Sequence, residues 1–198
     1  PQLRISFEGS NRAQQNTMKG VQQGSYISIM LIFSLLALQF RSYLQPLIVM
    51  SAIPFGIVGA VMGHYLLGFT LSIVSVLGMV ALSGIVVNDS LIMVDFINRF
   101  REEGHRLREA VLEAGVRRFR PIVLTTLTTF FGLMPMMFET SRQARFLIPM
   151  AISLAFGVLF ATFITLVLVP VFYYLLNDFL VLFGQKKRDV LDKTATAD

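Results

Sequence analysis

The 198-residue sequence contains no cysteine and no tryptophan, and only two histidines, His64 and His105. A disulfide framework and a thiol nucleophile are excluded, and a structural zinc site lacks the ligands to be built. Charge is scarce as well. Asp, Glu, Lys and Arg make up 15% of the residues against 55% hydrophobic, where a soluble domain carries roughly a quarter charged residues. With a mean hydropathy of +0.67, the composition argues against an ordinary soluble enzyme and for a membrane protein. The charge that is present leans basic, 17 Lys and Arg against 12 Asp and Glu, for a net +5 and a pI near 9.9. Nucleic acid, anionic lipid and membrane topology can each account for such an excess, and the positions of the charges decide between them.

Four stretches lack any Asp, Glu, Lys or Arg: residues 20–40, 42–88, 121–138 and 146–177, of 21, 47, 18 and 32 residues. About 20 residues of helix cross a hydrocarbon core of roughly 30 Å, so the first, third and fourth are single spans. The second would reach roughly 70 Å as one helix. His64, Tyr65, Gly68 and Thr70 mark a turn inside it and divide it into spans over 46–67 and 71–96. The expectation is an all-α integral membrane bundle of five transmembrane helices filling residues 25–177. Five crossings put the two ends on opposite sides. Arg41, the seven Arg from Arg99 to Arg120, and Lys186, Lys187, Arg188 and Lys193 make 12 basic residues on one side. Arg4, Arg12, Lys19, Arg142 and Arg145 make 5 on the other. The richer side faces the cytoplasm, with the N-terminus outside and a tail over 178–198 inside. This accounts for the basic pI without nucleic acid, and no nucleic-acid partner is expected.

Residues 1–24 carry no apolar run of signal-peptide length. Leu3, Ile5 and Phe7 alternate with Arg4, Ser6 and Glu8 like a short strand with nothing to pair with. Residues 1–24 are expected to be the end of an external domain and the lead-in to the first span, in a chain cut from something larger. The connector over 98–120 sets Leu107, Val111 and Ala114 at helical spacing among Arg and Glu. That pattern suits an amphipathic helix on the inner membrane surface or, equally, a solvated helical hairpin. Pro121 is expected to end it, because the residue before proline is biased away from helix.

The third span contains SGIVVNDSLIMVDFINRF over 83–100. A carboxylate within a span is costly in lipid, so Asp89 should face the bundle and either find a partner or take up a proton, which makes it the leading functional candidate. Asp95, near the inner end, precedes Arg99 at i+4, and an interfacial ion pair suffices for it. Asn88 can hold a neighbouring carboxyl or a water without carrying charge. Thr125, Thr126, Thr128 and Thr129 follow Pro121; such hydroxyls mostly bond back to their own helix, and beside an acid they become a candidate proton wire. Gly56, Gly59 and Gly63 read as a packing face turned toward absent partner helices. His64 is expected at the surface beside Tyr65, and Pro54, Pro135, Pro149 and Pro170 as kink sites. The sequence has no nucleophile motif, phosphate loop or metal-spaced pair, so neither enzymatic activity nor a cofactor is expected.

The blocks ALQFRSYLQPLIVMSAIPFGIVGA, GIVVNDSLIMVDFINR, REAVLEAGVRRFRPIVLTTLTT and LVPVFY occur in this order within residues 36–173. Together they resemble the C-terminal membrane half of the resistance-nodulation-division (RND) transporters, specifically the hydrophobe and amphiphile exporters of Gram-negative bacteria. The resemblance implies the last five of twelve transmembrane helices, in a homotrimer of the inner membrane. It further implies partnership with the N-terminal half of the same transporter, a periplasmic adaptor and an outer-membrane channel. The activity implied is exchange of protons for exported drugs or other amphiphiles, driven by the proton gradient. It assigns Asp89, Asn88 and Thr125 to the region of the proton relay. Well-known members place Lys where Asn88 stands and Thr where Thr125 stands, so Asn88 departs from the pattern and cannot be the cationic partner. The rival expectation is a structural membrane scaffold or a non-transporting fragment, which should tolerate Asn at position 89.

The charge bias predicts sidedness. A single cysteine introduced within 98–120 should react with a membrane-impermeant thiol reagent only from the cytoplasmic side; labelling from the outside alone overturns the topology.

Overall fold

A computed structural model describes residues 8–182, with side chains described for 12–141 and 144–176. It comprises six helices: α1 Glu8–Phe40, α2 Leu44–Met50, α3 Ile53–Leu67, α4 Ile73–Glu102, α5 Leu107–Met137 and α6 Arg142–Leu182. The all-α expectation holds, and no strand occurs among the described residues. The strand pattern at Leu3, Ile5 and Phe7 and the polar end from Gln185 lie outside the described residues. Helix α1 begins at Glu8, well upstream of its charge-free run, and α6 continues to Leu182 beyond the expected start of the tail.

Four segments are long and apolar enough to cross a membrane: Arg12–Phe40, Leu44–Leu67, Ile73–Glu102 and Ala144–Leu176. The expected span over 121–138 falls in the second half of α5, which carries four threonines with Pro121 and Pro135 and is not among the four. Helices α2 and α3 form one crossing broken at Ser51 and Ala52. Pro54 explains the break. Its ring clashes with the carbonyl four residues earlier, and that residue, Met50, is the last of α2.

One expectation about the connector is corrected, and of the two alternatives for its helical stripe the structure shows the hairpin. Pro121 does not end a helix: α5 runs unbroken from Leu107 to Met137 with Pro121 and Pro135 inside it. Two lost backbone donors in 31 residues are outweighed by the packing of α5 on α4 and α6. Nor is the stripe of Leu107, Val111 and Ala114 left for the membrane surface. Val111 and Ala114 are buried in a core shared with Val94, Ile97, Val169 and Tyr173, with Leu107 packed against it. The segment is thus the tight turn of an α4–α5 hairpin, with Gly104 at φ +95 and the Arg106 amide donating to Glu109 Oε2 at 3.4 Å.

Helix α6 is the hub, packing on α3, α4 and α5. The glycine face of α3 meets it directly. A Cβ on Gly59 would stand 2.4 Å from Phe160 Cβ and 2.8 Å from the Phe156 carbonyl oxygen, and one on Gly63 would stand 2.5 Å from Phe156 Cβ. A Cβ on Gly56 would stand 3.3 Å from Leu82 of α4. The expectation that this face awaits helices outside the chain is therefore corrected: its partners are α6 and α4.

His64 is also corrected. It is 2% exposed, because it falls on the same face of α3 as the glycines. Its Nδ1–H donates to the Ala60 carbonyl at 2.9 Å, and Nε2 lies 2.8 Å from Ser75 Oγ. A carbonyl can only accept, so Nδ1 carries a proton and Nε2 is the ring nitrogen that meets the Ser75 hydroxyl. Ser75 belongs to the first turn of α4, capped by Ser72, and its carbonyl accepts from Ser153 Oγ of α6 at 3.0 Å. One histidine thereby ties together the ends of α3, α4 and α6. Gly68, at φ +72, closes α3 and reverses the chain toward Ser72.

Gly59→Ala should separate α3 from α6 and destabilise the chain by about 1–3 kcal/mol. Gly115→Ala, where a Cβ meets open space, should be neutral or stabilising by up to about 1 kcal/mol. Reversible unfolding in mixed micelles checks both.

Candidate functional site

Helix α4 buries Leu82, Val86, Ser90, Met93, Val94 and Ile97 on one face. At about 100° per residue, Asp89 falls at the edge of that face and Asn88 on the far side. The accessibility agrees, Asp89 half-buried and Asn88 exposed. Among the described residues Asp89 has neither a hydrogen bond nor an ion pair. Asn88 belongs to an exposed stripe with Leu77, Ala81, Gly84 and Ile92, spaced three and four residues apart as in a helix–helix seam, with Arg99 seven residues further on. Asp89 thus stands where the packed face of α4 gives way to an unpacked one.

Thr125 is exposed on α5, and its hydroxyl donates to the Ile122 carbonyl at 2.8 Å. Thr128 donates to Leu124 and Thr125 carbonyls, and Thr129 to the Thr125 carbonyl. The expected back-bonding is what the structure shows. The buried member is Thr126, whose hydroxyl lies 2.7 Å from that of Thr162 and links α5 to α6. No hydrogen bond joins Asp89, Asn88 and Thr125 among the described residues, so they do not form a closed relay within this chain. Asp95 pairs with Arg99 at 3.0 Å, the interfacial ion pair expected from their spacing.

Two features escaped the sequence. Arg118, grouped with the headgroup-level arginines of the connector, lies with its guanidinium 5.0 Å from the Phe96 ring centroid of α4. Its Nε is buried without a hydrogen-bond partner among the described residues. The second is a polar cluster where α2, α4 and α6 meet, at the Asn98 end of α4. Asn98 and Gln45 exchange two amide bonds, Nδ2 to Oε1 at 2.9 Å and Nε2 to Oδ1 at 3.2 Å. The Tyr173 hydroxyl donates to the same Asn98 oxygen. This joins α2, α4 and α6. A lone glutamine in the apolar run over 42–88 was the available signal, since an amide buried among helices needs a partner.

The profile of the AcrB/AcrD/AcrF family matches residues 1–177. The chain belongs to that family. It is 35% identical over 171 residues to the cobalt-zinc-cadmium resistance protein CzcA of Cupriavidus metallidurans, covering 86% of this chain and 16% of that protein. It is 32% identical over 172 residues to the multidrug resistance protein MdtC of Proteus mirabilis, covering 86% and 17%. A solved heavy metal efflux pump superposes with a TM-score of 0.74 at 30% identity, over 87% of this chain and 17% of the pump. The family match establishes the RND relationship and a multi-pass membrane protein, whose relatives are transporters. The chain spans about a sixth of the curated relatives it matches.

Removing one member of the polar cluster at Asn98 strands the others. Asn98→Ala should cost about 1–3 kcal/mol. A double-mutant cycle with Gln45→Ala should give a coupling of at least about 0.5 kcal/mol, measured by unfolding in micelles; strict additivity overturns the pairing.

Proposed function

We propose that this chain is the proton-coupling transmembrane half of an RND proton/substrate antiporter. Asp89 carries the proposal: a half-buried carboxylate within a membrane span, unpartnered among the described residues, at the edge of an open helix face. An acid in that position exchanges protons more readily than one locked in an ion pair, and its charge state alters how well the open face tolerates a neighbouring helix. The stripe from Leu77 to Arg99 is where the N-terminal half docks and brings the remaining relay groups. Asn88 and Thr125 flank the path, Asn88 from the docking stripe and Thr125 from α5. In the intact transporter the protein is a trimer of the bacterial inner membrane, with its N-terminus periplasmic, its C-terminus cytoplasmic, and an adaptor and outer-membrane channel as partners.

The exported substrates are drugs or other amphiphiles, in line with the likeness to MdtC. A second reading, metal cations, is favoured by the 35% identity to CzcA and the superposition on a heavy metal efflux pump. The near-equal identities to both kinds of relative support a common coupling role for this segment, with cargo chosen elsewhere in the transporter. Dye efflux and metal tolerance conferred by the intact transporter distinguish the two cargoes.

In the intact transporter, Asp89→Asn should abolish or strongly reduce gradient-driven efflux from everted vesicles while expression and trimer formation stay at wild-type level. Wild-type efflux from that variant leaves a structural role only and favours the scaffold.

A further inference from the structure

Arg41 is the only charged residue between Gly20 and Asn88. It stands in the short turn joining α1 to α2, between Phe40 and Leu44. So tight a turn between two spans holds it at the level of the lipid headgroups. Its backbone lies in the left-handed region at φ +49, alone among the described non-glycine residues. Glycine would make this turn without strain, so turn geometry does not account for an arginine here. The Arg41 side chain has no hydrogen bond or ion pair among the described residues.

Two cavities meet at Arg41. One, of about 480 Å³, runs along α1 between Phe33, Ala37 and Leu38 and ends at Arg41, Ser42 and Tyr43. The other, of about 680 Å³, is polar and also holds Asp95, Arg99, Arg101 and Glu102. Arg99 is held by Asp95 and Arg101 acts on Tyr173, whereas Arg41 is a cation open to a ligand. The first cavity has the polarity sequence of a phospholipid: an apolar wall, then a cation with a planar donor fork, then a hydroxyl and an exposed tyrosine at the interface.

We propose that Arg41 binds the phosphate of one phospholipid whose acyl chain lies in the notch along Phe33, Ala37 and Leu38. The guanidinium donates two hydrogen bonds to phosphate oxygens, and Tyr43 flanks the headgroup. In the topology proposed above this is a lipid of the inner leaflet, and binding itself does not depend on transport.

The test is native mass spectrometry of the 198-residue chain in mild detergent, titrated with phosphatidylglycerol and separately with inorganic phosphate. The wild type should bind the lipid saturably and inorganic phosphate far more weakly. Arg41→Gly should weaken lipid binding about tenfold while leaving the unfolding temperature in lipid-free detergent unchanged or raised, because glycine removes the backbone strain. Arg41→Lys, a point charge without the fork, should fall between the two. Arg117→Gln, on the exposed Glu113 ion pair of α5, should bind as the wild type. Undiminished binding by Arg41→Gly overturns the proposal. So does an equal loss in Arg117→Gln, which shows diffuse attraction. Inorganic phosphate binding as tightly as lipid overturns it in favour of a free-anion site. None of these outcomes bears on Asp89 and proton coupling.

Discussion

The close approach of α3 to α6 is the contact on which the rest of the bundle depends. In lipid there is no hydrophobic drive to press helices together, so packing and interhelical hydrogen bonds must supply the association. Gly59 and Gly63 let the α3 backbone rest on Phe156 and Phe160, and Gly157 returns the favour on α6, where a Cβ would stand 2.2 Å from Leu82 of α4. Because the same α6 surface touches α3 and α4 at once, the three helices settle as a unit. His64, Ser75 and Ser153 then become close enough to bond at one end, and Gln45, Asn98 and Tyr173 at the other. Small residues in the middle permit polar clasps at both ends.

Within that unit nearly every hydroxyl in a span is spent locally. Ser34, Ser90, Thr128 and Thr129 bond to carbonyls of their own helices, and Thr126 finds Thr162. A membrane helix has no water to satisfy such groups, so self-satisfaction is the rule. Among the described residues Asp89, the buried Arg118 Nε and the buried Thr165 hydroxyl stand out against it, each without a hydrogen-bond partner. Helix α1 is the other exception to tight packing. It leans on α2 and α4 near its C-terminal end through Leu36 and leaves Tyr26, Met30, Leu35 and Leu38 exposed, a surface that suits lipid or further helices.

What could be read from the sequence follows from what depends on local spacing. Charge-free runs gave the four long apolar segments, i+4 spacing gave the Asp95–Arg99 pair, and the habit of threonine gave the back-bonding on α5. What could not be read depends on tertiary partners. The bias of proline against helix is real, but packing carries α5 through Pro121. His64 resembles an interfacial residue when taken beside Tyr65, and a buried one only when placed on the face of Gly56, Gly59 and Gly63. Arg118 shares its segment with six other arginines, and only the position of Phe96 on a different helix sets it apart. The glycine face was legible as a packing surface; its partner, 97 residues away at Phe156 and Phe160, was not. The site is the least legible part, since Asp89 is conspicuous by charge alone while its surroundings are set by helix rotation.

That rotation bears on mechanism. Had α4 turned by one residue, Asp89 would lie fully in the core and need a permanent partner, or fully on the open face and be a lipid-facing charge. At the edge it can be covered or uncovered by a helix docking on the stripe of Asn88. With Asn rather than a cation at position 88, the chain supplies no adjacent charge to hold Asp89 ionised. In the proposed relay the compensating charge comes from a docked helix or from a proton. These choices are mutually exclusive in a low-dielectric site, because one carboxylate needs one compensating charge. In the proposed relay, an acid that exchanges its partner as helices move is coupled to that movement, and an edge position covered by a docked helix would convert a change of charge into a change of packing.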